Sequence, residues 1–192
     1  MPGPLRRFTA VLLIAALAVV AMTGCGTKPA TGPDAAVRSE DLTPGEFPDT
    51  APTDPVEPPP PMLRSPETAV YSYILWISYA YRTLNSDVAT HAFSEWEEVR
   101  VNSYVELNRQ EGRAIDQRII EFKPTSTRTE GETATVGVTE TWRYRYIDIA
   151  DSTYEGPAHD VTYDSTYTVV NVPDKGWLVD KVEATARGGQ PE

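Results

Sequence analysis

From Thr133 to Asp148 the chain alternates between two kinds of residue. Ala134, Val136, Val138, Glu140, Trp142, Tyr144 and Tyr146 fall on one face; Thr135, Gly137, Thr139, Thr141, Arg143 and Arg145 fall on the other. Successive side chains of a strand point to opposite sides, so the pattern predicts a β-strand with one face in a core and one in water. A strand this long must coil, and its sheet must wrap around whatever covers the apolar face. Glu140 sits in the middle of that apolar face, between Val138 and Trp142.

Three more strands are predicted, at Ile115 to Lys123, Val161 to Val172 and Trp177 to Thr185. Val161, Tyr163, Tyr167 and Val169 share one face of the third, and Pro173-Asp174-Lys175-Gly176 turns the chain into the last. Helical spacing precedes them. Ser65-Pro66-Glu67 is a helix start, a cap followed by a proline and an acid in the first turn. Val70, Ile74, Ile77, Tyr81 and Leu84 then recur three and four apart, broadened by Tyr73 and Trp76, which predicts a helix from Pro66 to Leu84. A short second helix is expected at Val88 to Phe93. Ser94-Glu95-Trp96-Glu97 reads as a capping box with Glu97 reaching back, opening a third helix to Gln110 whose apolar residues are Trp96, Val99, Tyr104 and Leu107. Gly112 stops it. Helices followed by four uninterrupted strands define an α+β class, with helices packed on a curved four-stranded antiparallel sheet.

The ends of the chain carry different information. Arg6 and Arg7 precede an apolar run from Phe8 to Ala21, then Met22-Thr23-Gly24-Cys25. The order of charge, apolar run and small residues is that of a secretory signal, and the run is shorter than the roughly 20 residues a membrane span needs. Ordinary signal peptide and uncleaved anchor are the alternatives. Cys25 is the sole cysteine, so no disulfide or thiolate metal site can form within one chain. Of 17 prolines, eleven lie between Gly26 and Pro66, including Pro58 to Pro61. Such a segment has too little apolar surface to offset the entropy of ordering. Residues 25–65 are therefore expected to be a disordered tether of polyproline character, spanning about 120 Å if fully polyproline and about 35 Å as a coil. A Pro-rich ligand for another protein is the alternative, without flanking basic residues to support it. The folded domain is expected at 66–186 and a frayed tail at 187–192. A net charge of -11 disfavours nucleic acid and anionic membrane surface as partners.

Met22-Thr23-Gly24-Cys25 resembles the lipobox of bacterial lipoproteins, with Met22 where that family most often has Leu. The resemblance implies cleavage after residue 24, acylation of Cys25 by fatty chains such as palmitate, and an extracytoplasmic domain held to the cell membrane. Arg6-Arg7 hints at twin-arginine export, but Leu5 and Phe8-Thr9 fit the general secretory route better. Gly26 provides no inner-membrane retention signal of the Asp type. The order of helices and long strands, with the ending Tyr163 to Val172, turn, Gly176-Trp177-Leu178-Val179-Asp180, resembles the NTF2-like cone fold. Glu140, Tyr163 to Tyr167 and Trp177 look more narrowly like the intermembrane-space domain of plastid and cyanobacterial division proteins. This chain lacks the rest of a division protein, so that role does not carry over.

Relatives with this fold include isomerases and dehydratases that place an acid and tyrosines in the mouth of the cone. Glu140 with Tyr144, Tyr163 or Tyr167 is the matching constellation, a base beside a hydrogen-bond donor. The plainer reading has Glu140 at a sheet edge or satisfied by a tyrosine hydroxyl or backbone. His91 and His159 belong to no metal-spaced cluster and read as structural. Asp148 and Asp151 lack the further oxygen ligands of a calcium site. Arg143 and Arg145 read as solvated partners of neighbouring acids. No cofactor, catalytic or metal motif emerges. The expectation is thus a non-enzymatic lipoprotein whose domain binds a protein partner, or a second copy, through the outer sheet face. Small apolar ligand binding in the cone is the second reading, and an enzyme using Glu140 with a tyrosine the third.

Overall fold

A computed structural model of the protein describes residues 47–48 and 50–187; the expected signal peptide, Cys25, the first part of the tether and the tail from residue 188 lie outside these residues. Helix α1 spans Pro66–Thr83. Its capping box uses Thr in place of Glu: the Thr68 amide donates to Ser65 Oγ at 3.3 Å while the Ser65 amide donates to Thr68 Oγ1 at 3.1 Å. Leu84 closes the helix in the left-handed region, φ 52°.

The expected second helix is a single 3₁₀ turn, Ser86–Ala89. The chain after it is captured by the sheet instead. The Ser94 amide donates to Val179 O at 2.8 Å and the Val179 amide to Ala92 O at 3.3 Å, in a short parallel bridge. Those backbone groups are spent on the sheet and are lost to a helix.

Helix α2 spans Glu95–Gln110, with the bounds expected, but it is rotated relative to the expected apolar face. Glu97, Val101, Val105 and Asn108 point inward, while Trp96 is 81 % exposed and Val99 67 %. Ser94 is its N-cap residue, yet the hydroxyl donates to Asp180 Oδ1 and makes no cap hydrogen bond. The capping box expected at Ser94 and Glu97 is therefore absent, because Glu97 is drawn into the core.

Four antiparallel strands follow in sheet order β1-β2-β3-β4: β1 Arg113–Glu130, β2 Thr133–Asp148, β3 Tyr154–Val172 and β4 Gly176–Ala186. β1 runs further than expected in both directions and contains Pro124. A proline cannot donate to a ladder, but β1 is an edge strand and shifts register between Pro124 and Ser126, where no N–H is needed. β3 likewise starts earlier than Val161 and includes Gly156 and Pro157, because β4 pairs only from Tyr163 onward and leaves that part of β3 as an edge. Gly156, at φ 59°, lies beside a register shift between Tyr144 and Tyr146.

The core lies between the helices and the inner sheet face. Tyr73, Ile74, Ile77 and Tyr81 of α1 meet Val136, Trp142, Tyr167 and Val169 of the sheet. The outer sheet face is polar. Thr141 and Thr162 hydroxyls meet at 3.0 Å, and Arg143 grips Asp160 through two hydrogen bonds of 2.6 and 2.7 Å. Among the described residues no helix is long and apolar enough to cross a membrane.

Contacts with the domain begin ahead of the expected boundary at Pro66. Trp76 Nε1 donates to Pro59 O at 3.2 Å, the Met62 amide to Ser72 Oγ at 2.7 Å, and the Trp177 amide to Leu63 O at 2.9 Å. Arg82 donates to Pro52 O. Residues 52–63 form a strap along α1.

Candidate functional site

The β2 alternation carries Glu140 to the inner sheet face, where its exposure is 0 %. β3 supplies its partners. Ser165 Oγ donates to Oε1, and the Tyr167 hydroxyl lies 3.2 Å from Oε1 and 3.0 Å from Oε2. The Trp142 indole N–H meets no acceptor at good geometry, yet it too favours the charged carboxylate. No cation is among these partners. Burial dominates and pushes the Glu140 carboxyl up to about 8, against the smaller opposing pull of Ser165, Tyr167 and Trp142. The acid is therefore largely protonated at neutral pH.

Of the three candidate tyrosines, the structure brings Tyr167 to Glu140. Tyr163 is the cross-strand neighbour of Glu140 but makes no hydrogen bond to it; burial pushes its hydroxyl up to about 12. Tyr144 turns to the far end of the sheet, where its ring stacks on His159 at 5.3 Å between centroids. His159 belongs to β3, ahead of the expected strand start at Val161. His91 is exposed and packs edge-on against Trp76 at 4.2 Å, and partial burial lowers its pKa. Asp148 and Asp151 accept backbone amides of their own turn, from Ala150 at 2.7 Å and Thr153 at 3.0 Å. Arg145 donates to Gly156 O at 2.8 Å. Among the described residues no three potential ligands gather around a metal position.

A second buried polar cluster escaped the sequence reading. Tyr73 donates to Glu97 Oε1, Arg100 Nε reaches the same oxygen at 2.8 Å, and an Arg100 terminal nitrogen lies 2.5 Å from the Tyr73 hydroxyl. The Tyr73 ring contacts Tyr167 edge-on, centroids 6.2 Å apart, so the two clusters meet through aromatic rings. Spacing of Glu97 and Arg100 by three is a helical ion-pair signal. It was masked because Glu97 also fits a cap.

What this arrangement can do chemically is limited by access. A protonated acid beside two hydroxyls could hand on a proton, but none of its atoms reaches solvent. Two open clefts lie elsewhere, both beside the strap. One of about 1020 Å³ lies between Met62, Leu63, Arg64 and the β3–β4 turn with Trp177. The other, about 360 Å³, lies between Pro55, Pro58, Tyr79, Arg82 and β1. Glu140 lines neither.

Comparison with solved structures places this architecture. The intermembrane-space region of the chloroplast protein ARC6 superposes with a TM-score of 0.51 at 15 % identity, covering 67 % of this chain and all of that one. An NTF2-like superfamily protein of Salmonella enterica serovar Typhimurium matches with a TM-score of 0.45 at 10 % identity, over 66 % of this chain and 96 % of its own. An NTF2-like protein involved in plasmid conjugation matches at 0.32 and 13 % identity, covering 67 % of this chain and 51 % of that one. No family model and no curated protein sequence matches. The chain thus carries an α+β domain, two helices on a four-stranded antiparallel sheet, with a fold like that of the ARC6 intermembrane-space region. At these identities the likeness concerns fold alone.

Proposed function

We propose that the protein is an extracytoplasmic lipoprotein, acylated at Cys25 and held to the cell membrane, whose NTF2-like domain is a non-enzymatic binding module. The observation that carries the second half is the burial of Glu140. Glu140, the acid that an isomerase or dehydratase would need at an open mouth, has zero exposure and spends its oxygens on Ser165 and Tyr167. A reacting group must come within hydrogen-bond reach of its substrate. Anchoring rests on the Met22-Thr23-Gly24-Cys25 pattern, and two or three acyl chains on one cysteine give a stable anchor where one would not.

The enzymatic alternative draws on one observation, a carboxyl poised near neutral pH beside a tyrosine. Burial of a core acid accounts for that equally well. The expected contact surface, the outer sheet face, has Arg143 and Asp164 already engaged with Asp160 and Arg187. The side bearing the strap offers aromatic surface and open clefts, so the module reading locates its partner there.

Envelope fractionation with mass spectrometry of the native N-terminus tests the reading. The expected result is membrane association, a chain beginning at acylated Cys25, and release to the soluble fraction in Cys25→Ala. An intact Met1 or an unmodified thiol on the membrane-bound protein would overturn it. Full partner binding by Glu140→Gln is expected; loss of a catalytic turnover in that variant would restore the enzyme.

A further inference from the structure

The strap is attached in an unusual way. Its backbone does the binding: carbonyls of Pro52, Pro59 and Leu63 accept from Arg82, Trp76 and the Trp177 amide, and the Met62 amide donates to Ser72. Its side chains do little, and no residue from 50 to 64 is buried. Val56 is 81 % exposed. The domain residues beneath are the reverse. Trp76 is 5 % exposed, and Ser72 is buried with its hydroxyl turned to the strap. An indole N–H that donates to a proline carbonyl, on an aromatic surface, is how extended proline-rich peptides are read. Polyproline has no internal hydrogen bonds and keeps its carbonyls available. Gly176 completes the cradle: a Cβ there would stand 2.4 Å from Leu63 O.

We propose that the α1 surface bearing Ser72, Trp76 and Tyr79, with the Gly176-Trp177 end of β4, is a binding site for extended proline-rich peptide. Pro52 to Leu63 fills it in cis, and a proline-rich segment of another envelope protein takes it when the strap lifts. Recognition through carbonyls reads the extended proline-rich conformation rather than particular side chains, so one such segment can replace another. Both clefts are walled in part by the strap itself, at 61–64 and at 52–59. The strap competes with a partner as an intramolecular ligand, at an effective concentration on the order of millimolar. The site deepens the binding-module reading and rests on it.

The test uses the full chain and a fluorescein-labelled peptide of residues 50–64, followed by anisotropy. A strap-weakened variant carries Pro58→Ser, Pro59→Gly, Pro60→Ser and Pro61→Gly. It is expected to bind the peptide at least about tenfold more tightly than wild type, because the Gly/Ser replacement loses its extended polyproline conformation and competes poorly. Adding Trp76→Phe, which keeps a ring and removes the N–H, should weaken that binding about fivefold, the loss of one hydrogen bond. Absence of binding to a strap-weakened chain that melts as wild type would overturn the proposal, as would indifference to Trp76→Phe. Unfolding of the strap-weakened chain would overturn it too, since the strap would then be part of the core. Sedimentation showing a strap-exchanged dimer would replace the foreign segment with a second copy. Failure of any of these leaves acylation of Cys25 untouched, so it is distinguishable from failure of the anchored-lipoprotein reading.

Discussion

Glu97 and Glu140 are the same side chain buried on opposite sides of one core, and their neighbours give them different consequences. Glu97 has a guanidinium: Arg100 and the Tyr73 hydroxyl converge on its Oε1. Glu140 has no cation, only the Ser165 and Tyr167 hydroxyls and the nearby Trp142 indole. A buried ion pair is costly to break, because the survivor is left charged and dry. A buried acid without a cation keeps its proton, and its cost appears as a dependence on pH. Burial raises the folded pKa of Glu140 from 4.5 to about 8. The sign follows: the stability it contributes is fully present below pH 4.5, and is lost as the pH rises through about 8. The slope between those values is about 1.4 kcal/mol per pH unit.

The comparison breaks most visibly at Arg100. Arg100→Met leaves Glu97 without its cation and is expected to cost about 3 kcal/mol at pH 7 in urea unfolding, the low end for a buried pair because Arg100 is partly exposed. An unchanged midpoint would mean that Glu97 needs no cation, and the contrast would vanish. Glu140→Gln should act in the other direction, gaining about 2 kcal/mol at pH 8 and nothing at pH 4. The gain stays below the full linkage value because an amide NH₂ must be fitted between two hydroxyls. A variant as pH-dependent as wild type would place the titration elsewhere. Tyr167→Phe removes a buried hydrogen bond, with an expected loss of about 1 kcal/mol, and should raise the Glu140 titration midpoint in carbon-13 spectra. A lowered midpoint would contradict the role given to its hydroxyl. The smallest effect is expected at Ser94→Ala, about 0.5 kcal/mol, since its hydroxyl serves Asp180 and leaves the helix uncapped. A loss near 2 kcal/mol would restore the cap that the sequence suggested.

The fate of Ser94 and Glu97 also marks the boundary of what the chain reveals without coordinates. Helix limits were readable because their signals are local: Ser65-Pro66 starts α1, and α2 occupies its expected bounds. The alternation of β2 put Glu140 on the inner face, and Tyr167 was among its expected partners. Rotation of α2 was not readable, since Trp96, Val99 and Leu107 form as plausible a stripe as the true inner face. What turns the helix is Tyr73 of α1, whose meeting with Glu97 and Arg100 is tertiary. Pro124 and Pro157 hid the true lengths of β1 and β3. A proline is excluded from a strand only where its missing N–H is needed, and that depends on which strands lie beside it. Ser165 looked like any polar strand residue until a carboxylate was placed against it.

The short bridge from Phe93 to Val179 has a consequence for how many copies can share a small area. It covers one margin of the sheet, while Pro124, Lys123 and two register shifts roughen the opposite one. An unobstructed margin would invite a neighbouring molecule to zip on, backbone to backbone. Those stretches offer a neighbouring molecule little continuous ladder, and the open edge of β3 at 154–162 is interrupted in its turn by Gly156 and Pro157.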